Sequence, residues 1–154
     1  MNNPFQTQVL QGFTGAAASA DGRPEWAVAG KTLDTTHAAF ATPLAAAVTL
    51  TDGQVVPIGA TYVPYGAILV ETGGRKYQPW DGAAALVNSK TVIANTTTTS
   101  NDPDWDSPAG IIEGGSVFFD SLKIYTGGAW AVISQAQWVL LVAAAPRFKQ
   151  VRIS

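Results

Sequence analysis

Four acidic residues in a loop-like stretch have the spacing of a calcium-binding loop. Counted from the first of them, carboxylates stand at positions 1, 3, 5 and 12, as in an EF-hand. They are Asp102, Asp104, Asp106 and Glu113. Where an EF-hand requires glycine at position 6 the chain has Ser107, and Pro108 follows it. The stretch therefore predicts an exposed acidic turn without a bound metal, and a Ca²⁺ site on these four carboxylates is the alternative.

The residues on which most enzyme mechanisms depend are scarce in this chain. His37 is the single histidine and there is no cysteine, which excludes zinc sites built on imidazoles and thiolates. The sequence contains neither the G-x-S-x-G pattern of a nucleophile elbow nor a Walker or dinucleotide glycine loop. A carboxylate pair of the glycosidase type stays open, although no spacing singles one out. The sequence predicts a protein that is not an enzyme and has no cofactor.

Two tryptophans in turn-like contexts are candidate ligand-binding residues. Trp80 precedes the turn Asp81-Gly82, and Trp105 lies within the acidic stretch. Aromatic rings on loops offer flat faces on which sugars bind. A phage tail, fibre or other carbohydrate-binding β module that uses Trp80 and Trp105 is therefore the alternative to a purely structural role. Trp130 and Trp138 belong to apolar runs and are expected inside the protein.

Charge is sparse and unevenly placed. Of the 154 residues 47% are hydrophobic and 13% are charged, against about 25% charged in an average domain. The net charge of -2 is too balanced for a nucleic-acid partner, and the hydrophobic content disfavours disorder. The uncharged stretch between Lys123 and Arg147 is interrupted by Gly127, Gly128 and Pro146, so it predicts buried structure and not a membrane span. The low content of charged residues indicates that other subunits cover part of the surface.

Turn and strand patterns alternate from Ala45 onward and predict a mainly β protein. We expect a small β-sandwich or barrel-like domain with a short C-terminal helix over residues 134–145, where Ser134 and Gln137 match a capping box. A buried strand is the competing reading of that helix. The other predicted elements are hairpins turning at Asp52-Gly53, Gly73-Gly74 and Gly127-Gly128, strands at 91–99, 116–125, 129–133 and 147–153, and a loop at 100–110.

Before this region the chain has no sustained periodicity. Residues 1–42 are rich in Ala, Gly, Thr and Gln, with isolated apolar anchors, and predict an extended N-terminal arm. The β-rich domain is then expected to occupy residues 43–154. The first residues have neither a basic nor an apolar segment of a secretory signal, so we expect synthesis in the cytoplasm of a host.

Several segments resemble the tailed-phage head decoration proteins of the lambda type, also called capsid cement proteins. The first is Pro64-Tyr-Gly-Ala-Ile-Leu-Val-Glu71, which runs through Thr-Gly-Gly to Lys76-Tyr-Gln-Pro-Trp-Asp-Gly82. The second is Ala109-Gly-Ile-Ile112, followed by Gly115-Ser-Val-Phe-Phe-Asp-Ser-Leu122. A helical stretch and a terminal strand close the pattern. The resemblance covers residues 45–154.

The resemblance implies a β-rich protein that forms a homotrimer on the outer surface of the virion capsid. Such a protein clamps neighbouring subunits of the major capsid protein, and has no nucleic-acid or membrane partner. An uncharged arm of the kind predicted here would add to a capsid sheet edge as an extra strand. We expect the contacts to lie in the arm and around the second hairpin. The candidate partner-binding residues are Phe5, Val9, Leu10, Phe13, Trp26, Gly73, Gly74 and Trp80.

Overall fold

The protein is mainly β, with short strands arranged around one larger sheet. The computed structural model describes residues 25–26, 31–108 and 110–151. Within these residues the strands are β1 Glu25–Trp26, β2 Thr32–Leu33, β3 Val48–Thr49, β4 Val55–Val56, β5 Tyr62–Val63, β6 Ile68–Thr72, β7 Lys76–Pro79, β8 Thr91–Ala94, β9 Thr98–Thr99, β10 Ile111–Phe118, β11 Lys123–Thr126, β12 Ala129–Val132 and β13 Phe148–Val151. The predicted mainly β class is confirmed.

Two α-helices accompany these strands in the described part of the chain. The first, α1, covers Ala38–Ala41, and the second, α2, covers Gln135–Ala144. The α2 helix begins with the predicted capping box: Ser134 Oγ accepts from the Gln137 N–H, and Gln137 Oε1 accepts from the Ser134 N–H. The helical reading of residues 134–145 is confirmed, and the competing buried strand is wrong. Three short 3₁₀ turns lie at Gly73–Arg75, Asn88–Lys90 and Phe119–Ser121.

The larger sheet has the strand order β1-β10-β8-β6-β7-β2, and β13 also pairs with β10. The pairs β2–β7 and β10–β13 are parallel and the others are antiparallel. The long strand β10 meets β1 and β8 along its first part and β13 along its second. Three two-stranded ladders, β3–β4, β5–β9 and β11–β12, complete the described fold. All three predicted hairpins are present.

Both faces of the central strands are buried, because successive side chains of a strand point to opposite faces. On one face Ile68, Ile93 and Ile112 pack in a cluster with α2 through Trp138 and Leu141. On the other face lies a second cluster, formed by the residues that are adjacent to these isoleucines in the chain: Leu69, Val92 and Ile111. They pack with Leu33 of β2 and Phe40 of α1. A smaller cluster of Val56, Ala60 and Tyr62 lies beneath the β3–β4 hairpin.

The predicted boundary at residue 42 differs from the structure. Leu33 in β2 and Phe40 in α1 are buried, and β2 pairs with β7. Residues 31–42 are therefore part of the domain, because their apolar side chains complete the core on one face of the sheet. Trp26 lies in β1, whose backbone pairs with β10. The candidate contact residues Phe5, Val9, Leu10 and Phe13 lie outside the described residues.

Two predicted strands are also divided. The stretch 91–99 forms β8 and β9, which belong to different ladders: β8 lies in the larger sheet and β9 pairs with β5. The stretch 116–125 contains the end of β10, the 3₁₀ turn Phe119–Ser121 and the start of β11. The turn lets both Val117 and Leu122 enter the same core cluster. Among the described helices, neither is long and apolar enough to cross a membrane.

Candidate functional site

The acidic stretch forms turns and not a cation cage. Asp102 Oδ2 accepts a hydrogen bond from the Thr99 N–H at 2.8 Å, so it caps its own turn. Glu113 lies in β10 and forms an ion pair with Lys31, with Nζ and Oε1 3.1 Å apart. Within residues 25–26, 31–108 and 110–151, no three His, Asp or Glu side chains converge as metal ligands. The EF-hand spacing therefore does not bring Asp102, Asp104, Asp106 and Glu113 together as a metal site.

Trp80 is a core residue, which corrects its prediction as a partner-binding and sugar-binding side chain. It is 1% exposed, and its indole N–H donates to the Ala84 carbonyl at 2.9 Å. Trp105 is half-buried and packs edge-on against Phe40, with ring centroids 6.1 Å apart. Trp80 and Trp105 belong to different core clusters on opposite faces of the sheet, so they do not form a shared sugar platform.

Two contact candidates, Gly73 and Gly74, lie at the surface. Gly73 and Gly74 occupy the 3₁₀ turn between β6 and β7, and both are exposed.

The single histidine, His37, caps α1 by accepting the Ala39 N–H at Nδ1, and burial lowers its pKa. Its ring meets the edge of Tyr125, with centroids 5.7 Å apart. His37 therefore has a structural position at the start of a helix.

The outward side of α2 is apolar, and we call it the α2 face. It consists of Val139, Leu140 and Ala143, together with residues 83–87 of the neighbouring loop. Leu140, Ala143 and Ala144 border a groove of about 360 Å³ whose opposite wall is formed by Ala83–Leu86. Val87, Val139 and Leu140 are 52%, 54% and 51% exposed. A helix that is apolar on every side is normally buried on every side, so this face has the character of a contact surface.

A second uncharged feature is a cavity of about 410 Å³, which we call the aromatic cavity. The β11–β12 hairpin supplies Tyr125 and Trp130, which are cross-strand partners with ring centroids 5.4 Å apart in an edge-to-face arrangement. Tyr62 begins β5, and Thr61 directly precedes it. The rest of the lining is Ala39, Thr42, Pro43, Leu44, Ala45, Val48, Gly128 and Ala129.

The polar groups of the aromatic cavity are hydroxyls. Thr61 is 6% exposed, and its Oγ1 is buried without a hydrogen-bond partner. Its backbone is fixed by Ser100: the Thr61 N–H donates to Ser100 Oγ, and the Thr61 carbonyl accepts from the Ser100 N–H, both at 2.9 Å. Burial, with a smaller contribution from Tyr125, raises the pKa of Tyr62. The described lining therefore combines aromatic side chains with neutral residues, and Thr61 Oγ1 itself is not accessible from the cavity.

Sequence reasoning missed this cavity. It correctly expected Trp138 in the core, where this residue is 5% exposed, but it also expected Trp130 inside. Trp130 is half-buried at the cavity wall. The available signal was the Gly127-Gly128 turn, because a two-residue hairpin loop places Tyr125 and Trp130 directly across from each other.

Lys123, at the start of β11, is the most perturbed cation in the described part of the chain. Its ammonium group donates to the carbonyls of Tyr65 and Ser121, at 2.9 Å and 3.0 Å, and Nζ lies 3.7 Å from the centre of the Tyr65 ring. Burial lowers the pKa of Lys123 to about 8, with Asp52 opposing that shift. Lys123 thus joins the segment that follows β5 to the Phe119–Ser121 turn, at a buried site where a charge is unfavourable.

The pKa of Lys123 leads to a pH dependence of stability. The ordinary lysine pKa of 10.5 applies to the unfolded chain, which therefore holds the proton more tightly than the folded protein. The free energy of unfolding is expected to rise by about 1–2 kcal/mol between pH 7.5 and 9.5. Urea unfolding at a series of pH values measures this, and Lys123→Met should remove the rise. A wild-type stability that falls over this window contradicts the prediction.

Comparison with known proteins finds no matching family model, no matching curated protein and no matching solved structure. The features that bear on function are therefore those of the chain itself: a mainly β domain with an apolar α2 face and a neutral aromatic cavity. These two features lie on different parts of the fold, because the α2 face borders the cluster that contains Trp80 and the cavity borders the cluster of Val56.

Proposed function

We propose that this protein is a non-enzymatic structural protein that binds the outside of a phage capsid as a homotrimer and stabilises contacts between major capsid subunits. The observation that supports this most is the α2 face. In a chain with 13% charged residues, the longest described helix has no charged side chain and exposes Val139 and Leu140. Subunit interfaces have cores depleted of charge, and this face meets that requirement.

The packing of α2 explains why the face is suited to another subunit. The inward residues Trp138 and Leu141 are 5% and 0% exposed and already bury one side of the helix in the core. The outward residues Val139 and Leu140 stay about half exposed, so their remaining apolar surface is available to an association partner. A closed trimer joins two different patches of neighbouring copies, and the α2 face supplies one of them.

The capsid part of the proposal is supported by the resemblance of residues 64–82 and 109–122 to lambda-type decoration proteins. The exposed turn at Gly73 and Gly74 is available for a capsid contact. A carbohydrate-binding role through Trp80 and Trp105 has lost its geometric support, because Trp80 is buried.

The proposal is tested by light scattering coupled to size-exclusion chromatography, followed by co-sedimentation with expanded capsids of the source phage. We expect the mass of a trimer, three times 16.1 kDa, and binding to capsids that saturates. A stable monomer that does not bind to capsids would overturn the proposed function.

A substitution at Leu140 tests whether the α2 face is a subunit interface. Leu140→Glu places a charge at the centre of the apolar groove, and a charge buried at an interface without a partner costs several kcal/mol. We expect the variant to be a folded monomer by the same light-scattering measurement. The matched control is Val55→Glu on the β3–β4 hairpin, which is 57% exposed and should stay trimeric. Equal masses for the two variants would contradict the assignment of the α2 face as a subunit interface.

A further inference from the structure

We propose that β12 is a docking edge for the N-terminal segment of a neighbouring copy, whose residues 5–13 pair with β12 as an added strand. This inference rests on the proposed homotrimer and names the segment that passes between its subunits. It differs from the pairing with a capsid sheet edge that the sequence suggests, because the acceptor strand here belongs to a second copy of this chain.

The outer edge of β12 has backbone groups without a partner in the described part of the chain. Opposed residues of an antiparallel pair alternate between hydrogen-bonded and non-hydrogen-bonded positions. The N–H groups of Lys123 and Tyr125 in β11 donate away from β12, to carbonyls on the other side of β11. Their cross-strand partners Val132 and Trp130 therefore direct their own N–H and carbonyl groups away from β11. None of the described strands pairs with β12 on that side.

This edge lacks the features that normally prevent pairing with another chain. Edge strands are protected by charged side chains, proline, bulges or very short length. The β12 strand has the sequence Ala-Trp-Ala-Val and pairs with β11 over four residues in unbroken register. Its last residue, Val132, is 54% exposed. In the β3–β4 hairpin, by contrast, each strand has only two residues. The β12 edge is therefore the better acceptor for an extended segment.

The N-terminal segment has the length and composition that this edge requires. Residues 1–24 precede β1, and an extended segment of that length spans about 80 Å. None of the first 20 residues has a charged side chain. Phe5, Val9 and Phe13 stand four positions apart, so they share one face of the segment when it is extended. An apolar face of this kind suits a position beside Trp130 and Val132, which share one face of β12.

The position of β12 in the fold favours a neighbouring copy as the source of the added strand. The strands β1 and β2 are the two ends of the strand order in the larger sheet, about 24 Å apart for six strands. The β11–β12 hairpin lies on the β2 side: the Tyr125 N–H donates to the carbonyl of Trp80, just after β7, and the Tyr125 ring contacts His37, between β2 and α1.

A closed trimer requires such an arrangement of opposite sides. Each of its contacts joins two different patches of neighbouring copies. The N-terminal segment leaves the domain on the β1 side, and the acceptor edge lies on the β2 side. In a ring of three copies the segment of one copy therefore meets the β12 edge of the next.

Cysteine cross-linking of the full-length protein tests this contact, because the chain contains no native cysteine. Val132→Cys is co-expressed with a differently tagged copy that has Gln6→Cys, Thr7→Cys or Gln8→Cys. A disulfide requires Cα atoms within about 7 Å, so we expect at least one of the three pairs to form a bond between copies on mild oxidation. The matched control is Val55→Cys, which is 57% exposed and should form no such bond. No cross-link from any position, or equal cross-linking to Val132→Cys and Val55→Cys, would overturn the proposal.

Proline at the edge provides an independent test. Val132→Pro removes an N–H that has no partner in its hairpin, and the proline ring blocks an added strand. Val55→Pro is the matched control, because Val55 also directs its N–H out of its hairpin. We expect Val132→Pro to raise the protein concentration at which half of the trimer dissociates about tenfold, and Val55→Pro to leave it unchanged.

The outcomes separate this inference from the proposed function. If Leu140→Glu dissociates the trimer while Val132→Pro does not, and no cross-link forms, the pairing with β12 is wrong and the trimer stands. A disulfide that forms only within one copy, in a chain with both Gln8→Cys and Val132→Cys, also contradicts the exchange between copies. A wild-type chain that stays monomeric without any cross-link contradicts both proposals.

Discussion

Replacing Gly66 by alanine is expected to destabilise the protein by more than about 4 kcal/mol, which is an exceptional cost for one methyl group. A Cβ atom at this position would lie 1.7 Å from the Ser121 carbonyl oxygen, and both are backbone positions that packing holds in place. Gly66 also has a φ of +84°, a conformation that alanine rarely adopts. Chemical denaturation followed by circular dichroism measures the loss.

A matched glycine separates these two causes. Gly59 has nearly the same φ, +85°, but a Cβ atom there would meet nothing within 4 Å. Gly59→Ala should therefore cost only the conformational part, about 1–2 kcal/mol. Similar losses for the two variants would show that the close approach of Gly66 to Ser121 does not exist in solution.

The contact at Gly66 matters because it joins the sheet to the hairpin that carries Tyr125 and Trp130. The Gly66 N–H donates to the Ala94 carbonyl at 2.7 Å, and the Gly66 carbonyl accepts from the Lys123 N–H at 2.8 Å. A displacement here moves β11 relative to β8. Even a partly folded Gly66→Ala variant is therefore expected to lose the aromatic cavity.

The second large effect is expected at Trp80. Trp80→Ala removes a fully buried indole and its hydrogen bond to Ala84, and such truncations cost about 3–5 kcal/mol. The measurement is the midpoint of urea unfolding and its slope. Trp105→Ala, at a half-buried position, should cost clearly less.

This comparison also separates a core role from a binding role. If Trp80 served a ligand, its truncation would weaken binding and leave stability nearly unchanged. We expect the reverse: stability falls, and the fraction that stays folded binds capsids with the affinity of the wild type. A stable Trp80→Ala variant that no longer binds would restore Trp80 as a contact residue.

The α2 face and the aromatic cavity are two uncharged features that differ in shape and in lining. The α2 face is an open groove with apolar side chains and suits another protein subunit. The aromatic cavity is more enclosed, and its lining includes Tyr125 and Trp130.

The sequence by itself determined the local elements of this protein. The turns at Asp52-Gly53, Gly73-Gly74 and Gly127-Gly128 and the capping box at Ser134 depend on interactions between residues at most a few positions apart. Such interactions can be read from neighbouring residue types. For the same reason the mainly β class and the C-terminal helix were predictable.

Only the tertiary structure decided which side chains are covered. Trp80 and Trp130 both belong to strand-like runs of the sequence, yet the first is buried and the second lines a cavity, because burial depends on which distant strands pack against each. The pairing of β2 with β7 and the hydrogen bonds between Thr61 and Ser100 join segments far apart in the chain. Which distant segments pair depends on how all the apolar faces of the chain pack into one core. A local sequence pattern does not contain this information.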